Sequence, residues 1–467
     1  MTADAFTRPQ RARPLPFNAL LAAPILPTLA RLAAPNMVSM LAIAMVSIAE
    51  TAYVGLLGVP ALAAMAMVFP MVMLQQMMSA GAMGGGVSSA ISRALGAGDE
   101  MRAQALALHA VIIGTLAATT FSMVFLVFGR QIYSALGGSG PVMEQALVYS
   151  NTIFAGIVGI WLTNTLASIL RGSGNMKAPS LILLGVAILQ MLLSGGLGLG
   201  LGGLPHLGML GIGLGQIIAF GIGALVLLAY LRSRHSRVRL VFSAALLRGE
   251  MFRDILKVGA VACLSPLQSV LTILILTGLI ARFGTNALAG YGIGARLEFL
   301  LIPITFAIGV ACVPLVGMAI GAGDVARARR VAWTGGASSA LILGIVGVTA
   351  ATMPWLWANM FTDNQGVLAS AYSYLSWAGP AYGFFGLGLC LYFASQGAGK
   401  VLAPVLAGTM RLLVVTAGGW WLASQGAAEW SIFALIGVAM VVFGLLTAAA
   451  VYFVPWGKSA RSGPQAV

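Results

Sequence analysis

The chain has 467 residues, of which 60% are hydrophobic and only 8% charged, with a mean hydropathy of +0.98. Soluble domains carry about 25% charged residues, so water is excluded as the main solvent. The net charge of +14 does not mark a nucleic-acid binder, because the basic residues fall in short loops between apolar runs, as the positive-inside rule describes.

In chain order, a tail at 1–31 carries Arg8, Arg11 and Arg13 and is interrupted by prolines before the first apolar run. It reads as leading into a signal-anchor first helix rather than as a cleaved signal peptide. Predicted spans follow at 32–57, 61–91, 105–128, 142–170, 178–202, 208–231, 253–281, 287–318, 330–352, 367–395, 402–424 and 430–455. Runs such as Leu181–Leu204, Leu264–Ile280 and Ile432–Val454 match the roughly 20 apolar residues that a helix needs to cross a bilayer. They are too continuously apolar for barrel strands, which alternate, and lipid leaves only helices or closed barrels as spanning structures. Of the 25 Lys and Arg, Arg130 and Arg282 fall on one side and Arg296 and Arg411 within spans; the other 21 lie in the tails and even-numbered loops. That asymmetry supports twelve spans with both termini in the cytoplasm, in a bacterial inner membrane.

The two halves repeat. Ala94-Leu-Gly-Ala-Gly-Asp99 returns as Ala319-Ile-Gly-Ala-Gly-Asp324, and Gly172-Ser-Gly-Asn-Met-Lys-Ala-Pro179 as Gly397-Ala-Gly-Lys-Val-Leu-Ala-Pro404, both offset by 225 residues. Gly58-Val-Pro-Ala-Leu-Ala63 returns as Gly284-Thr-Asn-Ala-Leu-Ala289, offset by 226. Three matches in order at one spacing define an internal duplication. Six spans per half give both halves the same orientation. The expected fold is therefore all-α and polytopic, two six-helix lobes related by a pseudo-two-fold along the membrane normal, as in alternating-access transporters. The expected divisions are a first lobe at 32–235, an inter-lobe loop at 236–252, a second lobe at 253–456 and a tail at 457–467. The Gly-Ala-Gly-Asp loops read as helix C-caps and turns. They are not phosphate loops, since no strand precedes them and no Gly-Lys-Ser/Thr follows.

Ionisable side chains within spans are costly and are functional candidates. Glu50 is the only one between Met37 and Val54; burial favours its neutral form, which suits a carboxyl that trades a proton during a conformational cycle. Gln190 and Ser194, four residues apart on one helix face, and Gln216 on the next span can hydrogen-bond either form. Glu298 lies in span 8, where Arg296, two residues away, cannot face it; Arg411 in span 11 is the better partner. Met71, Gln75 and Met78, Trp161 and Asn164, and Tyr291 and Phe299 are candidate cavity residues, since methionine adapts to varied ligands. Pro35 can bend the first span. Trp355, Trp357, Trp420, Trp421 and Trp430, near span ends, read as an interfacial belt. Cys263, Cys312 and Cys390 read as small core residues. His109, His206 and His235 are far apart and pair with no intramembrane acid or cysteine, so an integral membrane enzyme is disfavoured.

The stretches Ala49-Glu-Thr-Ala-Tyr-Val-Gly55, Ser92-Arg-Ala-Leu-Gly-Ala-Gly-Asp99 and Leu170-Arg-Gly-Ser-Gly-Asn-Met-Lys-Ala-Pro179, with their second-half counterparts, resemble the MATE (multidrug and toxic compound extrusion) family. The resemblance runs from about Leu32 to about Tyr452. It implies a V-shaped pair of lobes around a cavity and export of amphipathic, often cationic compounds driven by H⁺ or Na⁺. It also implies a bend of the first helix at Pro35 during coupling. The chain departs from the family at positions where coupling is usually assigned. Gln268 and Phe385 stand where many members carry acids in helices 7 and 10. Gln190 and Ser194 stand for an Asn–Asp pair, Gln216 stands for a threonine, and Glu50 keeps the acid of helix 1. This moves attention to the first lobe, with Gln268, Arg296, Glu298 and Arg411 as a second-lobe polar cluster. The expected function is secondary-active multidrug efflux, with H⁺ favoured over Na⁺ as coupling ion and no other cofactor or metal. The expected partners are small-molecule substrates and membrane lipid, for a monomer. The alternative is a flippase for a lipid-linked or polyisoprenoid substrate, which would need more basic residues within the spans.

Overall fold

The computed structural model describes residues 20–243 and 247–457. Arg8, Arg11 and Arg13, and Lys458 and Arg461 in the second tail, lie outside the described residues. The described residues make twelve helical passes: α1 Ile25–Leu56, α2 Val59–Gly96, α3 Glu100–Ala135, α4 Gly140–Ala155 with Ile157–Gly172, α5 Lys177–Leu199 and α6 Met209–Arg232. The second half repeats them as α7 Gly249–Ala281, α8 Thr285–Gly321, α9 Val325–Thr352, α10 Gln365–Ala378 with Tyr382–Gly397, α11 Leu402–Ser424 and α12 Glu429–Phe453. Ten of these are long and apolar enough to cross a membrane as single helices, and α4 qualifies as a pair bent by 47° at Gly156. The two parts of α10 are joined by a 3₁₀ turn, Gly379–Ala381, where Pro380 denies the helix a backbone donor. The first helix begins at Ile25, earlier than the expected residue 32, so Arg31 lies inside it.

The packing follows the duplication. In the first lobe α5 packs along α6 and α1, and α3 along α4; in the second lobe α11 packs along α12 and α7, and α9 along α10. Each lobe has its own apolar core, the first around Phe125, Phe154 and Trp161 and the second around Tyr374, Phe433 and Phe443. Large side chains such as Ile48, Leu192, Leu225 and Leu341 stand exposed, as lipid-facing surface does.

The repeated glycines serve two purposes. Gly98 and Gly323 adopt φ of 77° and 79°, the left-handed conformation of a helix C-cap, which glycine adopts without a Cβ penalty. Asp99 and Asp324, next in line, each cap the following helix by accepting from the backbone N–H of Arg102 and Arg327 at 2.8 Å. Gly96 and Gly321, one turn earlier, meet each other. A Cβ on Gly96 would lie 2.9 Å from Cα of Gly321, and one on Gly321 would lie 2.8 Å from Cα of Gly96. The two equivalent positions of the repeat thus touch across the pseudo-two-fold, and only glycine permits that approach.

This contact belongs to a seam at the end of the molecule that carries the basic loops. The second half of α2 packs there against α8, α10 and the start of α7. A shared apolar cluster, including Ala82, Val258, Val310, Val313 and Val316, crosses between the lobes. Ser89 Oγ donates to the backbone carbonyl of Gln396, and Asp254 accepts from both Arg93 at 2.7 Å and Arg102 at 3.0 Å. The stretch between the lobes is tethered to the first one. Val238 and Leu240 are buried in its core, and the backbone N–H of Arg248 donates to Nε2 of the buried His109 at 3.1 Å. With His109 Nδ1 2.7 Å from the Ala105 carbonyl, these partners assign the imidazole proton to Nδ1.

Candidate functional site

Glu50 lies in the last two turns of α1, six residues before its end at Leu56, and is only 5% exposed. Its Oε1 accepts from Gln190 Nε2 at 2.8 Å and Ser194 Oγ at 2.9 Å, both on α5. The one-turn spacing of Gln190 and Ser194 is what lets two donors converge on one oxygen. Ser194 Oγ is also 3.2 Å from the Ile212 carbonyl on α6, so a single hydroxyl proton serves two acceptors in turn. Among the described residues, Oε2 takes no hydrogen bond and no cation pairs with the carboxyl. Tyr149 on α4 lies within electrostatic range, and the Tyr53 ring packs against Gly195. A carboxyl held by two neutral donors, with no counter-charge among the described residues, can gain or lose a proton without breaking an ion pair. Gln216 is buried on α6 but does not hydrogen-bond Glu50, so it stands outside the trio that the sequence grouped with it.

The second-lobe cluster is divided. Gln268 Nε2 donates to Thr409 Oγ1 at 2.8 Å, bridging α7 and α11. Glu298 Oε2 accepts from Tyr374 at 3.2 Å. Arg411 influences Glu298 electrostatically, yet the two do not come within ion-pair distance. The guanidinium lies instead over Phe385, 5.0 Å from the ring centroid, with Phe443 at 5.9 Å. The expected direct pair is not formed: the aromatic faces of α10 and α12 offer the Arg411 guanidinium a cation–π seat instead, and its Nε is left without a hydrogen-bond partner among the described residues. Arg296 is exposed and reaches Phe361, 5.5 Å away, so it joins neither group.

The expected cavity residues also separate. Trp161 is 1% exposed and packs 5.7 Å from Phe121, which makes it core. Tyr291 packs edge-on against Tyr374, and Phe299 is exposed. Met71 and Met78 are half-buried against the first core. Asn164 Nδ2 donates to Ser79 Oγ at 2.8 Å and Gln76 Oε1 at 3.3 Å, where α2 turns into a π-helix over Met77–Met83. Gln75 is fully buried with neither amide atom hydrogen-bonded. Pro35 lies within an uninterrupted α1. Trp357 is no simple belt residue, since its Nε1 donates to the Ile293 carbonyl at 2.9 Å.

The sequence reading missed Asp254, whose partners lie over 150 positions away. It missed Asn36, fully buried on α1 with no hydrogen-bonding partner for its amide. It also missed Arg171, which it counted only as a loop charge. An asparagine inside an apolar span was the one available signal among the three.

Two duplicated six-helix lobes, closed on each other at one end and carrying a buried carboxyl within a span, define a multi-pass membrane transporter rather than an enzyme. The MatE family model matches residues 35–194 and 262–421, once in each lobe. The chain belongs to that family. It is 26% identical over 315 residues to a protein of Shewanella oneidensis named FAD transporter, covering 67% of this chain and 69% of that one. It is 28% identical over 410 residues to a probable multidrug resistance protein, NorM, of Deinococcus radiodurans, covering 84% and 86%. Among solved structures, a MOP superfamily transporter from Pyrococcus furiosus superposes with a TM-score of 0.84 at 21% identity, covering 93% of this chain and 96% of that one. That likeness carries the twelve-helix, two-lobed fold.

Proposed function

We propose that this protein is a secondary-active multidrug exporter that works by alternating access and is driven by proton uptake at Glu50. The single observation that carries the reading is the Glu50 carboxyl, buried in α1 with two neutral donors on α5 and, among the described residues, no cation. Protonation would place a hydrogen on the free Oε2, remove the charge from the first lobe and alter how α1 sits against α5. In the arrangement described here the seam at the basic end is closed, which with cytoplasmic termini is a state shut to the cytoplasm. The coupling ion is H⁺ rather than Na⁺, because two donors aimed at one oxygen do not make the several oxygen ligands that Na⁺ prefers. The substrates are amphipathic and often cationic, no further cofactor is involved, and the protein acts as a monomer in the lipid of a bacterial inner membrane.

The test is efflux of a lipophilic cationic dye from proteoliposomes under an imposed pH difference without Na⁺, comparing wild type with Glu50→Gln. Transport that the mutant loses supports the reading. Transport driven only by a Na⁺ gradient overturns the choice of ion. The relative named FAD transporter makes FAD the second substrate to assay; transport of FAD and of no dye would replace the substrate class and leave the coupling site in place.

A further inference from the structure

We propose that Arg171 and Ser88, with the glycine run of α2, form a binding site for a small monovalent anion of halide size, held in the seam between the lobes. Arg171 ends α4 and is 2% exposed. Among the described residues it forms no ion pair and no side-chain hydrogen bond. A cation removed from water without a partner is strongly disfavoured, and the C-terminal end of its own helix returns only a small part of that cost. A bound anion cancels it.

A cavity lined by Arg171 and Ser88 fits that role. Its volume is about 10 Å³, bounded by Gly84, Gly85, Ser88 and Arg171 of the first lobe and by Val310 and Val313 of the second. A water-sized occupant needs roughly 10–15 Å³, so the space is at the lower limit for one small ion, which requires the lining to relax around it, and it excludes a phosphate. Ser88 Oγ, 3% exposed, has no partner among the described residues and is free to donate. Ser168 Oγ already donates to the Asn164 carbonyl at 2.7 Å, which leaves Ser88 as the hydroxyl donor. Glycine is also what lets α2 approach the groups around this space: a Cβ on Gly84 would lie 2.5 Å from Ser168 Oγ, and one on Gly85 would run into the Gln396 side-chain amide.

The duplication sharpens the case. Gln396 stands 225 residues after Arg171 and occupies the equivalent place in the second lobe, fully buried. The fold accepts a neutral amide there, so the charge at Arg171 is not a packing requirement. The valines that cap the cavity come from the opposite lobe, so the anion is enclosed only while the seam is closed. Its binding therefore favours that state, and the site empties when the lobes part.

The experiment uses the full-length protein in detergent, with chloride replaced by gluconate at constant Na⁺ and ionic strength. The thermal unfolding midpoint is followed as a function of halide, and crystals grown in bromide are examined by anomalous scattering. We expect saturable stabilisation by chloride and bromide, a bromide peak beside Arg171, no halide response in Arg171→Gln, and affinity weakened about tenfold or more in Ser88→Ala. Equal midpoints in chloride and gluconate for the wild type would overturn the proposal. So would a halide response undiminished in Arg171→Gln, or stabilisation by phosphate and not by chloride. Should Arg171→Gln fail to fold, the Ser88→Ala titration and the wild-type bromide map decide. None of these readouts depends on transport, so they stand apart from the fate of the proton-coupling reading.

Discussion

Arg93 Nη2 lies 2.7 Å from Asp254 Oδ1, joining the end of α2 in one lobe to the start of α7 in the other. Arg102 approaches the second oxygen of the same carboxylate at 3.0 Å. These groups are partly exposed, so each pair contributes about 0.2–1 kcal/mol. Asp254→Asn should therefore shift the ratio of closed to open states at the basic end by roughly two- to thirtyfold. Spin-label distances across the loops after α2 and α8 measure this, and 1 M salt should weaken closure in the wild type but not in the mutant. Unchanged distance distributions in Asp254→Asn would show that the pair does not hold the lobes.

Glu50→Gln should retain expression and folding, because the amide fills the same space, while pH-driven dye efflux falls to background at every pH. Ser194→Ala leaves Gln190 as the remaining donor and should lower transport about tenfold. A pH profile in Glu50→Gln that still follows the wild type would remove this carboxyl from the mechanism.

Gly96→Ala places a methyl group against Met318 and Gly321 in the closed seam. Overpacking of this kind typically costs about 1–3 kcal/mol. The cost here falls on the closed state, so the mutant should populate the open arrangement and lose transport. Cysteine accessibility at Ser92 reports the opening. Gly321→Ala, its counterpart in the repeat, should behave alike, and normal transport by both would show that the seam yields more readily than its geometry implies.

Gln75 buries an amide without a partner, and such groups cost about 1–3 kcal/mol each. Gln75→Leu should raise the unfolding midpoint in detergent. If the amide contacts substrate in another state, dye efflux falls in the same mutant. A lower midpoint would mean that the amide finds hydrogen-bonding partners which outweigh the gain in apolar packing.

Much of this was legible in the sequence. Runs of about 20 apolar residues, the sidedness of Lys and Arg and the 225-residue offset carry the two-lobed fold, because lipid permits so few solutions. Glu50 with Gln190 and Ser194 was legible because a carboxyl in an apolar run and two polar residues one turn apart are both local signals. Gln216 was not separable from them, since its side-chain direction depends on how α6 rotates against α5. Glu298 and Arg411 looked like a pair because opposite charges in one lobe suggest it, whereas the Phe385 and Phe443 faces that take up the guanidinium come from two other helices. Gly96 and Gly321 were visible as repeats and unreadable as a contact, because a glycine's role is set by what approaches it. Asp254 was silent for the same reason.

The meeting of Gly96 with Gly321 has a kinetic consequence. Where helix backbones touch with so little between them, no interdigitated side chains need withdraw and reset before the surfaces part. At this one contact, unlike the valine cluster beside it, the faces are short of large apolar groups and rich in peptide dipoles that water solvates readily. Opening and resealing at that point can follow the rigid rocking of whole helices, on the microsecond-to-millisecond scale of collective domain motions, without waiting on local repacking. On the proposed alternating-access reading, the duplication that put a glycine on both sides of the axis would thereby let this part of the seam open and reseal quickly.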